Sequence, residues 1–292
     1  MKFIRLNLLV LILAFTTGCA ATHKYQGNNF PPLSSEMFPS YSVDSPIIEG
    51  VEVKLPEGNG KTKLSMDIIM SKGSKSFTID NYIEWDWNIK YENKKIVNDH
   101  VFDIYVKSQR KNKNIKMNIN CIHDTNGKEI SMDVIFSDKD SEFTAKELDE
   151  FKRRMSEYIN QQFADIGKTV KTDDILQEFP NKFNQVKTIS EANKSQSNFP
   201  EIVKGWGSYN NKKVVVTEYI MDGRIDRSDG IFEMRGKGYY LYDAESFAQV
   251  SGEFRFYANI FEPKAGTITM IMDMRLNVDS YQIDRVIDSS ML

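Results

Sequence analysis

The chain has 292 residues, of which 38 are Lys or Arg and 41 are Asp or Glu, giving a formal net charge of −3 at pH 7. This length suits one large domain or two small ones and is enough to bury a sizeable core. A mildly acidic chain with mixed signs lacks the electrostatic footprint of a nucleic-acid-binding protein. The same balance argues against a polybasic contact with an anionic membrane.

The first residues have the three parts of a secretory signal. Lys2 and Arg5 come before any acidic residue, residues 6–15 are apolar apart from Asn7, and residues 16–21 are nearly all small. A helix that spans a membrane needs about 20 apolar residues, and this run is about half that length. The pattern therefore predicts export followed by removal of the segment, and not a retained spanning helix.

The end of this segment resembles the lipobox of bacterial lipoproteins, in which a small residue precedes an invariant cysteine. The matching residues are Thr16-Thr17-Gly18-Cys19. In that family the cysteine thiol is linked to diacylglycerol, the signal is cut just before it, and the new amino terminus is acylated, commonly with palmitate. The resemblance implies a signal peptide over 1–18 and a lipidated Cys19 as the first mature residue.

The resemblance has one departure, because the family prefers an aliphatic residue where this chain has Thr16. An unlipidated secreted or periplasmic protein, cut beside Ala20 or Ala21, is the alternative. Two or three acyl chains hold a protein firmly to a bilayer, whereas one holds it weakly. No Asp follows Cys19, and this absence resembles the outer-membrane sorting pattern of Gram-negative lipoproteins. We therefore expect a lipid-anchored protein of the bacterial cell envelope, at the outer membrane.

Residues 19–46 are predicted to form a flexible, lipidated tether. They contain Pro31-Pro32, Pro39 and Pro46 among many Ser, Asn and Gly residues. Such a composition favours an extended coil without a packed core, which can hold a folded part away from lipid headgroups.

Two long regions, about 48–137 and 202–278, alternate apolar and polar residues with a period of two. This period indicates antiparallel strands with one apolar face and one polar face. Asn126-Gly127 and Asn210-Asn211 lie between such runs and predict tight hairpin turns. The clearest runs contain Ile83, Trp85, Trp87, Ile89 and Tyr91 in the first region and Ile268, Met270, Met272, Met274 and Leu276 in the second.

The segment between these regions, about 144–190, has a helical period. Thr144 and Glu147 match a capping box, and apolar residues then recur every three or four positions to residue 166. Thr172 and Asp173 predict a second helix start. We therefore expect an α+β fold with two antiparallel β blocks packed on the 144–166 helix.

The domain organisation follows from the same pattern. The residues from 190 to 200 are polar and end in Pro200, which predicts a connector. We expect an N-terminal β block with helices over 47–195 and a C-terminal β block over 200–292. One continuous domain over 47–292 is the alternative.

No motif in the chain identifies a reaction or a cofactor. The histidines number three, His23, His100 and His123, and neither a nucleophile elbow nor a phosphate-binding loop occurs. Cys121, His123 and Asp124 form the most metal-like group, but no second ligand pair completes a zinc set. We interpret Cys121 as a core thiol and His123 as a hairpin-end imidazole, and expect neither a metal site nor an enzyme. An enzyme with dispersed catalytic residues is a further alternative.

Two sets of side chains are candidates for binding an apolar ligand. Trp85 and Trp87 share one strand face, and Met270, Met272 and Met274 share another. Methionine adapts to varied apolar partners, although both sets are also compatible with ordinary core packing. The hypothesis is a non-catalytic envelope lipoprotein that binds an apolar ligand or an envelope partner. A structural or assembly protein that works through its surface alone is the alternative.

Overall fold

The structure is a computed structural model that describes residues 38–108, 112–125, 128–136, 166–178, 197–198, 200–227, 230–262, 266–288 and 290–291. All regular structure in these residues is β. The strands are β1 Val51–Glu52, β2 Leu55–Lys72, β3 Lys75–Glu92, β4 Lys95–Ser108, β5 Asn112–Asp124, β6 Glu129–Phe136, β7 Thr169–Val170, β8 Ile175–Glu178, β9 Ser197–Asn198, β10 Pro200–Tyr209, β11 Lys212–Arg227, β12 Gly230–Asp243, β13 Gln249–Glu262 and β14 Gly266–Ile287.

Twelve of these strands form one antiparallel sheet in the order β6-β5-β4-β3-β2-β14-β13-β12-β11-β10-β8, with β9 paired to β11. Most neighbours are consecutive hairpins, so the sheet consists of two meanders. The short strands β8 and β9 pair with β10 and β11 at one end of the sheet. The long-range exception is β14, which pairs with β2 along almost its whole length, from Thr269 opposite Ser71 to Ile287 opposite Leu55. This pairing joins the two β blocks into one sheet. A separate small sheet is made by β1 and β7.

Two hairpins turn through residues with positive φ at both central positions. They are Asn93 and Lys94 between β3 and β4, and Asn210 and Asn211 between β10 and β11. This backbone matches the right-handed twist of the flanking strands, and asparagine tolerates it better than most residues. The turn predicted at Asn210-Asn211 is therefore confirmed, whereas Asn126-Gly127 lies outside the described residues.

Strand alternation divides the large sheet into two faces. The core face carries one continuous cluster of buried apolar side chains that extends across the sheet from β6 at one edge to β8 at the other. The cluster also includes Ile47, Val53 and Val170 of β7. The outer face carries most of the charged side chains and one small apolar cluster, made by Val214, Val216, Leu241 and Val250. A one-residue register slip would exchange the two faces, so burial of the core face fixes the register of every strand.

Residues 38–47, which we call the N-terminal strap, begin against the outer face and end at Ile47, which is buried in the core-face cluster. The Phe38 ring meets Tyr257 edge-on at 6.0 Å, and the Tyr41 hydroxyl donates to Glu218 at 2.6 Å. The strap then pairs with the edge of β10, where the Trp206 amide donates to the Ser45 carbonyl at 2.8 Å. A Cβ at Gly205 would lie 2.5 Å from that same carbonyl, so glycine is needed for this close approach.

The expected α+β fold is wrong for the part of the chain that the structure describes, because these residues contain strands and no helix. The segment from 172, predicted to start a helix, instead forms β8, which pairs with β10 at Ile202 opposite Ile175. Pairing to an open sheet edge overrides the weak local helical signal. The helix predicted over 144–166 lies, except for its last residue, outside the described residues.

Among the residues described, no helix is long and apolar enough to cross a membrane.

Removing a core-face side chain of β2 should destabilise the whole sheet. Leu64 is fully buried between Leu276 and Ile83, so Leu64→Ala should lower the free energy of unfolding by about 2–5 kcal/mol. Ile69 on the same strand points to the outer face and is 44% exposed, so Ile69→Ala should change it by about 0.5 kcal/mol or less. Urea unfolding measures both, and equal losses would contradict the assignment of the faces.

Candidate ligand-binding face

The core face contains a group of buried methionines, which we call the methionine cluster. Met274 lies opposite Met66, and Met270 lies opposite Met70, across the β14–β2 pairing. Continuing the second row, Met270 pairs with Ala258, which in turn pairs with Met234 on β12. The members of the cluster are all less than 10% exposed and are Met66, Met70, Met221, Met234, Met270, Met272 and Met274.

The two tryptophans predicted from sequence also lie on the core face, buried to 2% and 3% exposure. The Trp85 ring packs against Phe102 with centroids 6.2 Å apart. Trp87 covers Gly60, where a Cβ would lie 2.6 Å from the indole ring. Only glycine at this position on β2 leaves room for the indole.

The two predicted sets share a face without touching each other. Trp85 lies opposite Thr62 on β2, whereas Met274 lies opposite Met66 on the same strand. Four residues of strand separate these rows, which is about 13 Å. The structure therefore places Trp85 and Trp87 in one part of the core face and Met270, Met272 and Met274 in another.

An aromatic group borders the methionine cluster, and sequence reasoning missed it. Gly238 on β12 lies opposite both Tyr219 and Phe254, and a Cβ there would lie 2.6 Å from the Phe254 side chain. Because this position has no side chain, the Tyr219 and Phe254 rings meet across β12 with centroids 5.5 Å apart. The feature of the sequence that could have indicated this packing is the presence of two glycines, Gly236 and Gly238, on the same face of one strand.

The core face also contains a buried acid that the sequence did not single out. Glu201 at the start of β10 is fully buried, and its Oε1 accepts hydrogen bonds from Thr217 Oγ1 at 2.8 Å and from the Tyr242 hydroxyl at 2.7 Å. Two hydroxyl donors compensate part of the cost of burying a carboxyl group. Its position next to the polar connector gave no sign of burial.

The residues considered for metal binding or catalysis do not assemble into such a site. Cys121 and His123 share the core face, as expected, and burial raises the pKa of Cys121 to about 12. Among the described residues no three His, Cys, Asp or Glu side chains are placed to hold a metal ion. His100 on β4 lies opposite Ile119 on β5, and Ile119 is four residues, or about 13 Å, from His123 along that strand. The two imidazoles are therefore far apart.

Both core-face histidines are held in the neutral form. Burial lowers the pKa of His100 to about 4, and burial also lowers the pKa of His123, opposed by the nearby charges of Glu129 and Asp124. Neither imidazole carries a positive charge at neutral pH.

The outer face has a polar cleft of about 270 Å³ over β2, β3 and β4. Its charges are paired in part, with Lys63 Nζ lying 2.8 Å from Asp279 and 3.6 Å from Glu84. These side chains are about 40% or more exposed, so such pairs contribute little to stability. The cleft has the character of a solvated, mixed-charge surface.

Comparisons with known proteins give only distant similarities. No protein-family model and no curated protein matches the chain. A solved structure described as lipid–protein interactions in lipovitellin is similar at 10% identity with a TM-score of 0.37; the match covers 79% of this chain and only 26% of that one. A DUF1329 family protein from Desulfovibrio piger matches at 10% identity with a TM-score of 0.22, covering 76% of this chain and 86% of that one. Similarities at this level establish neither a family nor a function.

The buried His100 should make stability depend on pH. Between about pH 6.5 and about pH 4 the imidazole of His100 binds a proton in the unfolded chain but not in the folded protein. The free energy of unfolding should therefore fall as the pH falls through this window and level off below it. The full loss is about 3 kcal/mol. In His100→Gln the slope should be smaller, whereas His23→Gln, in the predicted tether, should keep it. Urea unfolding at several pH values measures this, and an unchanged slope in His100→Gln would refute it.

Proposed function

We propose that the mature chain is a lipid-anchored protein of the bacterial cell envelope that binds an apolar ligand on its core face and catalyses no reaction. The observation that carries the ligand part is the methionine cluster. Seven of the 13 methionines of the chain lie in this one part of the core face. The anchor part rests on the signal segment and on Cys19.

Methionine differs from the branched aliphatic residues in a way that matters for binding. Its side chain is unbranched, has three rotatable bonds and a polarisable sulfur, and so fills irregular spaces at small cost. A core that only has to specify one fold is better served by Leu, Ile and Val, whose rotamers are well defined. The seven methionines lie on four strands, β2, β14, β12 and β11, of which only β13 separates β14 from β12. This concentration favours a surface that repacks around a guest.

The core face is closed to solvent in the structure, so binding requires part of this packing to open. The row of Met70 and Met270 lies next to Phe77, close to the β2–β3 hairpin turn at Gly73. Strand ends open at lower free energy than strand centres. This end of the methionine cluster is therefore the proposed place of entry.

A second candidate function is docking of an envelope protein along the edge strand β6. The observation that favours it is the exposure of two isoleucines on this strand, where Ile130 is 52% and Ile135 is 61% exposed. If the chain bound no apolar probe under any condition tested, the ligand-binding function would be rejected and protein docking would be the favoured function.

Apolar binding is measured by titrating the protein with N-phenyl-1-naphthylamine, whose fluorescence rises in apolar surroundings. We expect saturable binding with one site. Replacing Met270, Met272 and Met274 together by Leu keeps the volume nearly constant but stiffens the surface, so binding should weaken about five- to tenfold, or about 1 kcal/mol. The matched control is Met132→Leu on β6, outside the methionine cluster, which should bind as the native chain does. Equal affinity of the triple variant and the native chain would remove the methionine cluster from the site.

Anchoring is tested by labelling cells with a fatty-acid probe. The native chain should take up label and partition with membranes, whereas Cys19→Ser should do neither, because the thiol that would carry diacylglycerol is missing. A native chain that is unlabelled and soluble would show that Cys19 is only part of an ordinary signal.

A further inference from the structure

Asn81 is a polar side chain buried inside the apolar part of the core face. It lies on β3 directly opposite Met66, which itself lies opposite Met274, and it is 7% exposed. Its neighbours along the same face of β3 are Ile79 and Ile83. Its Oδ1 accepts no hydrogen bond from any residue that the structure describes.

Such an acceptor is costly to the folded protein. An amide oxygen taken out of water without a donor destabilises the fold, and an apolar residue of the same size would avoid this cost. For packing alone, Leu at this position would therefore serve the fold better than Asn81. A hydrogen-bond donor brought by a ligand would satisfy the oxygen.

The charges of the core face restrict what that ligand can be. The buried polar and charged side chains of the described residues include no Lys and no Arg. The histidines on this face, His100 and His123, are neutral at neutral pH because burial lowers the pKa of each. An ionised carboxylate or phosphate has no proton to donate to Asn81 Oδ1, and the buried side chains that the structure describes give it no positive partner; Lys113, in the same cross-strand row, lies two strands away beyond Val106. Burying such a group is far more costly than burying a neutral one.

A cationic headgroup is disfavoured for a related reason. Glu201 is the buried acid of this face, but it lies on β10, six strands away from β3 in the sheet order. At about 4.8 Å per strand the separation along the sheet is about 29 Å. A cation hydrogen-bonded to Asn81 would have no nearby carboxylate on the core face among the described residues.

We propose that the ligand is an uncharged lipid with a free hydroxyl group, and that the hydroxyl donates a hydrogen bond to Asn81 Oδ1 while the hydrocarbon chain lies over Met66 and Met274. This assignment rests on the proposed apolar-ligand function and names the chemical class of the ligand.

The test displaces bound N-phenyl-1-naphthylamine from the full mature chain with three molecules of the same chain length. Oleyl alcohol is neutral and donates a hydrogen bond, methyl oleate is neutral and only accepts, and oleate is anionic. We expect oleyl alcohol to displace the probe at about five- to tenfold lower concentration than methyl oleate, which corresponds to one hydrogen bond, and oleate to be the weakest.

Asn81→Leu separates the role of the side chain from the fold. The variant should be at least as thermally stable as the native chain and should bind the probe normally, yet lose the advantage of oleyl alcohol over methyl oleate. Asn88→Leu, on the outer face of the same strand, is the matched control and should keep that advantage. If Asn81→Leu unfolds, Asn81→Ala serves for the same comparison.

Each other result overturns the assignment. If the native chain prefers oleate, its ligand is anionic. If an Asn81 variant keeps the preference for oleyl alcohol, Asn81 does not contact the ligand. In both cases the proposed function survives. Failure of the native chain to bind the probe at all overturns the proposed function together with this assignment.

Discussion

The pairing of β14 with β2 is the constraint on which the rest of the structure depends. Without it the chain would form two separate meanders, each with an additional open edge. The pairing brings Leu276 against Leu64 and Met274 against Met66, residues more than 200 positions apart in the chain. Closing so long a loop costs more entropy than any hairpin, and the long run of paired residues with the buried core-face side chains offsets that cost. Two register shifts in β14, at Val278/Ser280 and Ile283/Arg285, keep its far end in the ladder.

The methionine cluster exists only because of this pairing, since its members come from both ends of the chain. The core face beside it is built differently. Around Gly60 and Gly238 a missing side chain on one strand accommodates an aromatic ring from its neighbour, which gives close packing with little freedom. The flexible methionines therefore lie beside two stiffer aromatic regions. That arrangement suits a face that can yield in one place while the sheet around it keeps its register.

The sequence predicted the local features of this fold and missed the non-local ones. Alternation identified the long strands and placed Trp87 and Met272 on a buried face, because side-chain direction in a strand depends only on neighbouring residues. The pairing of β14 with β2 and the formation of β8 in place of a helix depend on partners distant in the chain, which no local period reveals. Asn81 was missed for the same kind of reason. A single polar residue in an apolar series acquires meaning only when its neighbours across the sheet are known.

The N-terminal strap connects the proposed anchor to the proposed site. It lies on the outer face, where the Tyr41 hydroxyl and Lys237 both bind the carboxylate of Glu218, and its described part begins at Phe38 beside Tyr257. The proposed anchor at Cys19 precedes a strap whose first described contacts lie on the face opposite the methionine cluster. Phe38 and Tyr41 of the strap contact the outer face, whereas Ile47 at its end is buried in the core-face cluster, so the strap passes from one face to the other at the edge of β10.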